Sequence, residues 1–347
     1  MRVGMLTGGG DCPGLNAVIR AAVRKGIFHY GDEFVGFLEG WRGVLENKTM
    51  PLTIESVSGI LHLGGTILRT SRTNVRKKPG GLEQCISVIQ QNKLDALITI
   101  GGDDTQGVAN ALIEKGVKCV GVPKTIDNDL NGTDACFGFD TAVSIATEAV
   151  DRLHSTAEAH SRVIVCEVMG RDAGWIAVYS GVAGGADAIL VPEVPIDLDA
   201  VIAQIKDRRA RGKNFSIIVV AEGAKMPASD AKATHGSKLD EFGHERLAGI
   251  GQYVADEIEK RTGFETRSVN LGHTQRGGTP TAYDRMLATR YGAGAIDLVR
   301  QNRFGRLVVL RGTEITDIAL ADAISKNRTV DPKLLDLAKS LQPDLKA

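Results

Sequence analysis

Residues 95–129 most restrict the fold of this chain, because two short apolar runs flank a segment with helical spacing. Residues 97–100 and 118–122 are bounded by Gly or Pro and are rich in β-branched side chains, which is typical of buried parallel strands. Between them, residues 106–115 have the apolar spacing of a helix. The pattern predicts a right-handed βαβ unit, and therefore an α/β fold with a mainly parallel sheet.

Each of the two predicted strands is followed by an acidic turn. Gly101, Gly102, Asp103 and Asp104 follow the first strand, and residues 124–129, KTIDND, follow the second. Ligands of open α/β sheets bind beyond the carboxyl ends of the strands, so we expect both turns to share one crevice. The alternative is that the aspartates only cap helices and close turns. A magnesium–phosphate site uses every part of the pattern, because carboxylates bind Mg²⁺, glycine amides approach phosphate and lysine neutralises its charge.

The composition excludes several classes of protein. The chain has 347 residues, enough for one large or two medium α/β domains, and its 42 Lys and Arg balance its 42 Asp and Glu, which argues against nucleic acid as the principal partner. No apolar run reaches the roughly 20 residues of a membrane span and the amino terminus lacks a signal-peptide pattern, so we expect a cytoplasmic protein. The five cysteines form no CxxC pair, which predicts neither a disulfide framework nor a zinc site.

A glycine-rich turn follows the first predicted strand. Residues 2–6 are apolar, residues 7–14 have the sequence TGGGDCPG, and a helix is predicted from Leu15 to about Phe28. The glycine spacing is not GxGxxG and no acidic residue closes a clear second strand, so a dinucleotide site is disfavoured. We predict a phosphate-binding turn, in which backbone amides and the helix amino terminus supply positive potential.

A second loop, residues 64–78, combines glycine, hydroxyl and basic side chains without any acidic residue. Most loop arginines are solvated surface charges, which is the alternative for Arg72. A phosphate clamp is the more specific hypothesis, because an arginine fork matches the geometry of phosphate. The basic residues of this loop are Arg69, Arg72, Arg76, Lys77 and Lys78.

Strand and helix patterns continue after residue 138 and predict a second domain. Residues 224–242 are polar, with Gly, Pro and Ser, and predict an exposed loop. The predicted helices are residues 141–154, 198–211 and 249–261, and the predicted strands are residues 162–168, 188–191, 215–220 and 266–271.

Several motifs make the chain similar to the 6-phosphofructokinase family, and they occur in family order over nearly its full length. They are TGGGDCPGLNAVIR (7–20), LRTSR (68–72), GGDDT (101–105), PKTIDND (123–129), GFDTA (138–142), VMGRDAG (168–174), AEG (221–223) and LGHTQRGGTPTAYDR (271–285). The resemblance implies two doubly wound, Rossmann-like, three-layer α/β domains with mainly parallel sheets. It places the phosphoryl donor and Mg²⁺ in residues 1–138 and 275–327, and fructose 6-phosphate in residues 139–274 and 328–347.

The resemblance assigns the chemistry of phosphoryl transfer to the second acidic turn and its neighbours. Asp127 corresponds to the base that takes the proton from the C1 hydroxyl of fructose 6-phosphate. Asp103 corresponds to the Mg²⁺ ligand, and Asp129 to a carboxylate that supports the metal or orients the turn. Thr125 would hydrogen-bond the transferred phosphoryl group or the sugar.

The resemblance also bears on the choice of donor. Arg72 and the Gly10 backbone would stabilise charge on the bridging and departing oxygens. ATP-using relatives have glycine where this chain has Asp104, and commonly where it has Lys124. A carboxylate at 104 would repel the α-phosphate of a nucleotide, whereas a lysine at 124 could neutralise a short, highly charged donor. The combination resembles the pyrophosphate-dependent branch. The same donor site includes Gly102, Asp103 and Thr105.

The sugar-phosphate site also matches the family. The residues that would contact fructose 6-phosphate are Thr125, Asp127, Asp129, Met169, Gly170, Arg171, Glu222, His273 and Arg276, the last two at the 6-phosphate. Arg162 and Arg267 resemble two arginines that reach this phosphate from a neighbouring subunit, where an arginine fork suits it. The resemblance therefore implies a homodimer at minimum, and a homotetramer is expected.

The sequence thus predicts reversible, Mg²⁺-dependent transfer between pyrophosphate and fructose 6-phosphate, giving fructose 1,6-bisphosphate and phosphate in glycolysis or gluconeogenesis. An ATP-dependent 6-phosphofructokinase and a non-catalytic sugar-phosphate sensor are the alternatives. For regulation, Arg20, Arg24 and Lys213 resemble part of a bacterial effector site. His154 and Asp187 stand where that site has arginine and glutamate.

Overall fold

The chain folds into two compact α/β units, in a computed structural model that describes residues 1–227 and 249–341. The first unit comprises Met1–Thr141 and Arg276–Arg328, and the second comprises Ala142–Gln275 and Thr329–Ala347. The α/β class with mainly parallel sheets is confirmed. The chain changes units at 141/142, 275/276 and 328/329, close to the predicted boundaries at 138/139, 274/275 and 327/328.

The strands, in chain order, are β1 (Arg2–Thr7), β2 (Glu33–Phe37), β3 (Thr49–Leu52), β4 (Ala96–Gly101), β5 (Cys119–Pro123), β6 (Val163–Val168), β7 (Ala188–Leu190), β8 (Ser216–Ala221), β9 (Thr266–Asn270), β10 (Arg306–Arg311) and β11 (Glu314–Ala319). The helices are α1 (Leu15–Tyr30), α2 (Trp41–Leu45), α3 (Gly81–Gln91), α4 (Asp103–Glu114), α5 (Phe139–His160), α6 (Trp175–Ala183), α7 (Leu198–Ala210), α8 (Ile250–Thr262), α9 (Ala282–Arg300), α10 (Leu320–Ala323) and α11 (Pro332–Ser340). Short 3₁₀ helices lie at Val75–Lys77 and Gly272–Arg276.

The sheet of the first unit has the strand order β11-β10-β5-β4-β1-β2-β3. The strands from β10 to β2 run parallel, and β11 and β3 pair antiparallel at the two edges. β4 and β5 are buried along their whole length, as their apolar sequences predict. The sequence did not predict β3, which contains Pro51, a residue without an N–H that is confined to edge strands or bulges within a sheet.

Helices pack against this sheet and bury a core of apolar side chains. Side chains of α2, α3 and α4 form one buried cluster with Leu6, Phe37 and Leu97 of the strands. Elsewhere in the unit, α1 packs against α9, where a Cβ on Gly292 would lie 2.4 Å from the Val18 carbonyl oxygen. The close approach of these two helices therefore requires glycine at position 292.

The sheet of the second unit has the order β7-β8-β6-β9, with all neighbours parallel. α7 and α8 bury apolar side chains against β6 and β8. α5 runs to His160, six residues beyond the predicted end. Most of the loop predicted at residues 224–242 lies outside the described residues. None of the described helices combines the length and apolar composition needed to cross a bilayer.

Candidate active site

The two acidic turns lie at the same edge of the sheet of the first unit. β4 and β5 pair in parallel with Gly101 opposite Pro123, and the Lys124 amide donates to the Gly101 carbonyl oxygen at 3.1 Å. Because parallel strands in this register end at the same level, both turns open on the same side. The shared edge predicted from the sequence is therefore present.

Gln106 holds the ends of these strands together, and the sequence analysis did not single it out. Its fully buried side-chain nitrogen lies within hydrogen-bonding distance of the carbonyl oxygens of Thr99 (2.9 Å), Gly101 (3.2 Å) and Val122 (3.1 Å), and its Oε1 accepts from the Thr99 hydroxyl. Each contact satisfies a polar group at the point where the parallel ladder ends. A polar residue within an otherwise helical repeat does not by itself predict such a role.

The first acidic turn continues directly into α4. The helix begins at Asp103, not at residue 106 as the apolar spacing predicted, and its N-cap is Gly102, which makes no side-chain capping bond. The interpretation of Asp103 or Asp104 as the N-cap is therefore wrong. Both carboxylates occupy the first helical turn, where the helix dipole stabilises negative charge. Asp103 is exposed and Asp104 is half-buried.

The second acidic turn alternates buried and half-buried residues. Ile126, Asn128 and Leu130 are buried, whereas positions 125, 127 and 129 are half-buried. Asn128 adopts a left-handed backbone (φ 53°), and its side chain accepts from the Cys136 amide at 2.8 Å. The buried residues anchor the turn, and the polar side chains predicted to act chemically stay half-buried, with the Oδ1 of Asp127 buried. These polar residues are Thr125, Asp127 and Asp129.

The glycine-rich loop after β1 is held at the same edge. The Gly8 amide donates to the Ile100 carbonyl oxygen at 2.9 Å, and the Thr70 hydroxyl donates to the Gly9 carbonyl oxygen at 2.6 Å. A Cβ on Gly8 would lie 2.5 Å from the hydroxyl of buried Thr105, so that position has no room for a side chain. The loop, the first acidic turn and the segment that carries Arg72 are therefore joined in one unit.

Lys124 is buried beneath this loop. Only 4% of the residue is exposed, and its ammonium donates to the Gly10 carbonyl oxygen. Burial lowers the pKa of Lys124, and repulsion from Arg276 adds to that effect, whereas Asp11 and Asp127 oppose it. The sequence predicted a lysine that neutralises the donor. In the structure its ammonium binds the backbone of the glycine-rich loop.

Two further groups of this unit lie next to the loop. Arg72 is exposed, two residues after Thr70. Cys12, the loop thiol, is buried and donates weakly to the Phe137 carbonyl oxygen, and burial raises the pKa of Cys12 to about 12. A thiol with that pKa stays protonated and unreactive at neutral pH. The other four cysteines are also buried, and none of them forms a disulfide bond.

Asp103 has the chemistry of a magnesium ligand. Mg²⁺ in phosphoryl-transfer sites is held by one or two carboxylates together with phosphates of the substrate and water. The exposed Asp103 carboxylate lies at the sheet edge where the glycine-rich loop would present phosphate, so it fits such a metal. Residues 1–227 and 249–341 contain no cluster of three or more His, Cys, Asp or Glu able to hold a metal by themselves.

The motif at residues 281–285 contains a buried carboxylate. The Oδ2 of Asp284 accepts from both the amide (2.8 Å) and the hydroxyl (2.6 Å) of Thr141, while the Thr281 hydroxyl donates to Asp140 at 2.6 Å. Burial raises the pKa of Asp284 to about 6, and the Thr141 bonds partly offset that rise. These bonds fix the start of α9 against the start of α5.

The predicted sugar residues of the second unit follow the ends of β6 and β8. The turn at Met169, Gly170 and Arg171 packs on the turn at Glu222 and Gly223, with the Gly223 amide donating to the Gly170 carbonyl oxygen at 3.0 Å. Gly170 has φ 135°, and a Cβ on it would lie 2.8 Å from the Ala173 carbonyl oxygen. Glycine is therefore required at this position.

Two residues that the sequence analysis missed position this turn. Gln275 is fully buried and accepts from the Met169 amide at 3.3 Å, two residues after the exposed His273. Glu193 accepts from the Gly174 amide, at the start of α6, and from the Val330 amide at 2.9 Å. Gln275 lies inside the motif that marked His273, which was the available signal for it.

Arg162 and Arg267, the two predicted cross-subunit residues, lie together at strand β9 and share one carboxylate. Each places a guanidinium nitrogen 2.7 Å from the Glu265 Oε1. β9 is an edge strand of its sheet, so both side chains stand at the rim of the unit. Arg267 also lies 3.8 Å from a carboxylate oxygen of Glu259, so the two arginines face two carboxylates at this rim.

His154 and Asp187, which the resemblance places at effector-site positions, make contacts within the second unit. Asp187 pairs with Arg208 at 2.8 Å and accepts from the Ile217 amide at 2.9 Å. Burial raises the pKa of Asp187. His154 contacts the Gly184 carbonyl oxygen at 2.7 Å and packs edge-on against Phe215. Their chemistry is thus used in internal contacts.

Sequence comparison identifies close relatives over the whole chain. A family model described as phosphofructokinase matches residues 2–299. A Streptomyces coelicolor protein named pyrophosphate–fructose 6-phosphate 1-phosphotransferase is 56% identical over 337 residues, which cover 97% of this chain and 98% of that protein. An ATP-dependent 6-phosphofructokinase of the same organism is 52% identical over 330 residues, with 95% and 96% covered.

Solved structures agree on the fold. The T-state phosphofructokinase of Pichia pastoris superposes with a TM-score of 0.82 at 30% identity, covering 98% of this chain and 36% of that longer chain, so this chain spans about a third of its length. A pyrophosphate-dependent phosphofructokinase of Marinobacter aquaeolei superposes with a TM-score of 0.81 at 20% identity, covering 98% and 91%, which supports the fold alone. The chain belongs to the phosphofructokinase family.

Proposed function

We propose that the protein is a Mg²⁺-dependent, pyrophosphate-using 6-phosphofructokinase. The observation on which this rests is the pair of carboxylates, Asp103 and Asp104, in the first turn of α4, at the sheet edge where Lys124 lies under the Gly10 carbonyl. One carboxylate suits a metal, and the second disfavours the α-phosphate of a nucleotide. Three relatives named pyrophosphate–fructose 6-phosphate 1-phosphotransferase are 56–58% identical and a fourth is 46% identical, whereas relatives named as ATP-dependent are 50–52% identical.

Asp127 supplies the base in the proposed reaction. Its carboxylate, half-buried in the second turn, takes the proton of the C1 hydroxyl as that oxygen attacks a phosphorus of pyrophosphate. The new P–O bond forms while the bond to the bridging oxygen breaks, and inorganic phosphate leaves. Thr125 hydrogen-bonds the phosphoryl group, and Arg72 and the Gly10 backbone stabilise charge on the bridging and departing oxygens. Mg²⁺, held through Asp103 with Asp129 nearby, would neutralise charge on the phosphates.

The sugar phosphate binds, in this proposal, to the turns after β6 and β8. The Arg171 fork and the Glu222 carboxylate recognise the sugar, and Met169 and Gly170 line it. His273 binds the 6-phosphate, to which the family resemblance also assigns Arg276. Arg162 and Arg267 of a neighbouring copy complete the phosphate site, because both guanidinium groups lie together at the β9 rim and an arginine fork suits phosphate. The enzyme would therefore be at least a homodimer, and we expect a homotetramer.

We further propose that the reaction is reversible and serves glycolysis or gluconeogenesis in the cytoplasm. Pyrophosphate and the sugar 1-phosphate are closer in transfer potential than ATP and that ester, so neither direction is strongly favoured. The alternatives are an ATP-dependent enzyme and a non-catalytic sugar-phosphate sensor.

The deciding experiment measures fructose 1,6-bisphosphate formed by the purified protein with Mg²⁺ and either pyrophosphate or ATP at matched concentration. Turnover with pyrophosphate alone is expected. Turnover with ATP alone would retain the family and overturn the donor, and no turnover with either would favour the sensor.

A variant tests the role of Asp104 directly. Asp104→Gly is expected to admit ATP turnover, because the carboxylate that repels the α-phosphate is gone. The matched control is Glu83→Gly, which removes an exposed acidic residue from the first turn of α3. If Asp104→Gly uses ATP no better than the control does, electrostatic exclusion at position 104 is wrong.

A further inference from the structure

Arg276 lies against the donor loop, although the family resemblance assigns it to the 6-phosphate of the sugar. It ends the 3₁₀ helix Gly272–Arg276 and belongs to the same compact unit as the loop. A Cβ built on Gly10 would lie 2.0 Å from the Arg276 Nη1 and 2.9 Å from its Cζ. Gly10 has no positive φ, so a side chain at position 10 would displace the guanidinium and would not strain the backbone.

Two cations therefore converge on Gly10. The Lys124 ammonium donates to its carbonyl oxygen, and the Arg276 guanidinium contacts its α-carbon side. Like charges this close repel each other, and the effect of Arg276 on the pKa of Lys124 reflects that repulsion. Asp11 and Asp127 lie near enough to compensate Lys124 in part.

Arg276 has no carboxylate partner among the residues that the structure describes. Its guanidinium forms no ion pair and no hydrogen bond with any of them, and its Nε is buried. A guanidinium that has a buried, unused Nε donor and lies beside a glycine loop can bind an anion through two of its nitrogens. Phosphate oxygens match that fork, and the loop amides lie next to it.

We propose that Arg276 is a ligand of the phosphoryl donor, and that it binds the pyrophosphate oxygens next to Gly10. This inference rests on the proposed function and deepens its donor site. Pyrophosphate lacks the nucleoside through which ATP gains binding energy, so its affinity depends on cations placed around a few oxygens. Arg276 supplies one such cation, and Lys124 orients the loop beneath it.

The test separates the two ligands by measuring equilibrium binding to the full-length protein, without turnover. Isothermal titration calorimetry with Mg²⁺ and inorganic pyrophosphate, in the absence of sugar, is compared between wild type and Arg276→Gln. A separate titration uses fructose 6-phosphate without donor. Loss of a charge-assisted, two-point contact should weaken pyrophosphate binding about ten- to a hundredfold.

Further variants distinguish the fork from charge and from folding. Arg276→Lys keeps the charge but not the fork, and should fall between wild type and Arg276→Gln. Gly10→Ala, whose methyl group would displace the guanidinium, should weaken pyrophosphate binding in the same way. Arg290→Gln is the control, since that arginine of α9 contacts only the Thr313 carbonyl oxygen at an exposed site.

The inference is overturned if Arg276→Gln binds pyrophosphate like wild type while its affinity for fructose 6-phosphate falls. If the wild-type protein binds ATP and not pyrophosphate, the proposed donor is wrong instead. In that case the same variants are titrated with ATP, and Arg276 is a donor ligand only if Arg276→Gln binds ATP more weakly than wild type does. Wild type that binds neither donor overturns both.

Discussion

Asp284→Asn is expected to change how stability depends on pH. The Asp284 carboxyl is fully buried and burial raises its pKa to about 6 from an ordinary value of 3.8, with nearby Asp140 adding to the rise and the Thr141 bonds opposing it. A raised pKa means that the folded state holds the proton more tightly than the unfolded state. The stabilisation is therefore complete below about pH 4 and is lost as the pH rises through about 6.

The magnitude follows from the difference between the two pKa values. A difference of about 2.2 units corresponds to about 3 kcal/mol over the whole range. Between pH 5 and pH 7 the unfolded carboxyl is almost fully ionised and the folded carboxyl titrates, and the same linkage relation leaves about 1 kcal/mol. Asparagine does not titrate, and its side-chain oxygen can still accept from Thr141. The free energy of unfolding of wild type, minus that of Asp284→Asn, should therefore fall by about 1 kcal/mol from pH 5 to pH 7.

Urea unfolding at several pH values measures this difference. Trp41 is buried in the core of the first unit, so a Trp175→Phe background makes tryptophan fluorescence report on the unit that contains Asp284. Asp322→Asn, at an exposed position of the same unit, is the control and should show no such pH dependence. A difference that stays constant or grows with pH would refute the argument that burial dominates the ionisation of Asp284.

Two further variants test the site and its support. Asp127→Asn should lower kcat by about 10²- to 10⁴-fold, because the base is lost. Calorimetry should show that its affinity for fructose 6-phosphate stays within a few-fold of wild type. A kcat equal to that of wild type would exclude Asp127 as the base. Gln106→Leu should destabilise the first unit by about 2–4 kcal/mol, since buried carbonyl oxygens at the ends of β4 and β5 lose their donor. The measurement is urea unfolding followed through Trp41, with exposed Gln90→Leu as the control, and equal stability of the two variants would contradict it.

The sequence alone predicted the βαβ unit and the position of its acidic turns. Apolar run length, helical spacing and the bounding Gly and Pro residues are local signals, and they marked β4 and β5 to within a residue or two at each end. The start of α4 was missed by three residues, because acidic residues at a helix amino terminus add no apolar period. Edge strand β3 was missed because its four residues include a proline and bury little apolar surface, and the sequence analysis did not mark β10 or β11 either.

The motifs of the chain identified its family and its candidate residues, but not the partners of those residues. The family resemblance marks Lys124, Arg276 and Arg162, whereas their contacts with Gly10 and Glu265 depend on which strands become neighbours. Lys124 and Gly10 are 114 residues apart and meet only because β1, β4 and β5 lie side by side in one parallel register.

The sequence by itself thus determined the element types, the α/β class and the chemistry available at each turn, since these depend on local spacing and residue type. Only the tertiary structure decided that two cations converge on one glycine, that Gln106 closes the ends of two strands and that Asp284 is buried with a raised pKa. These properties arise from burial and from long-range contacts. No local pattern encodes them, because the dielectric environment and the neighbours of a side chain exist only once the strands have paired.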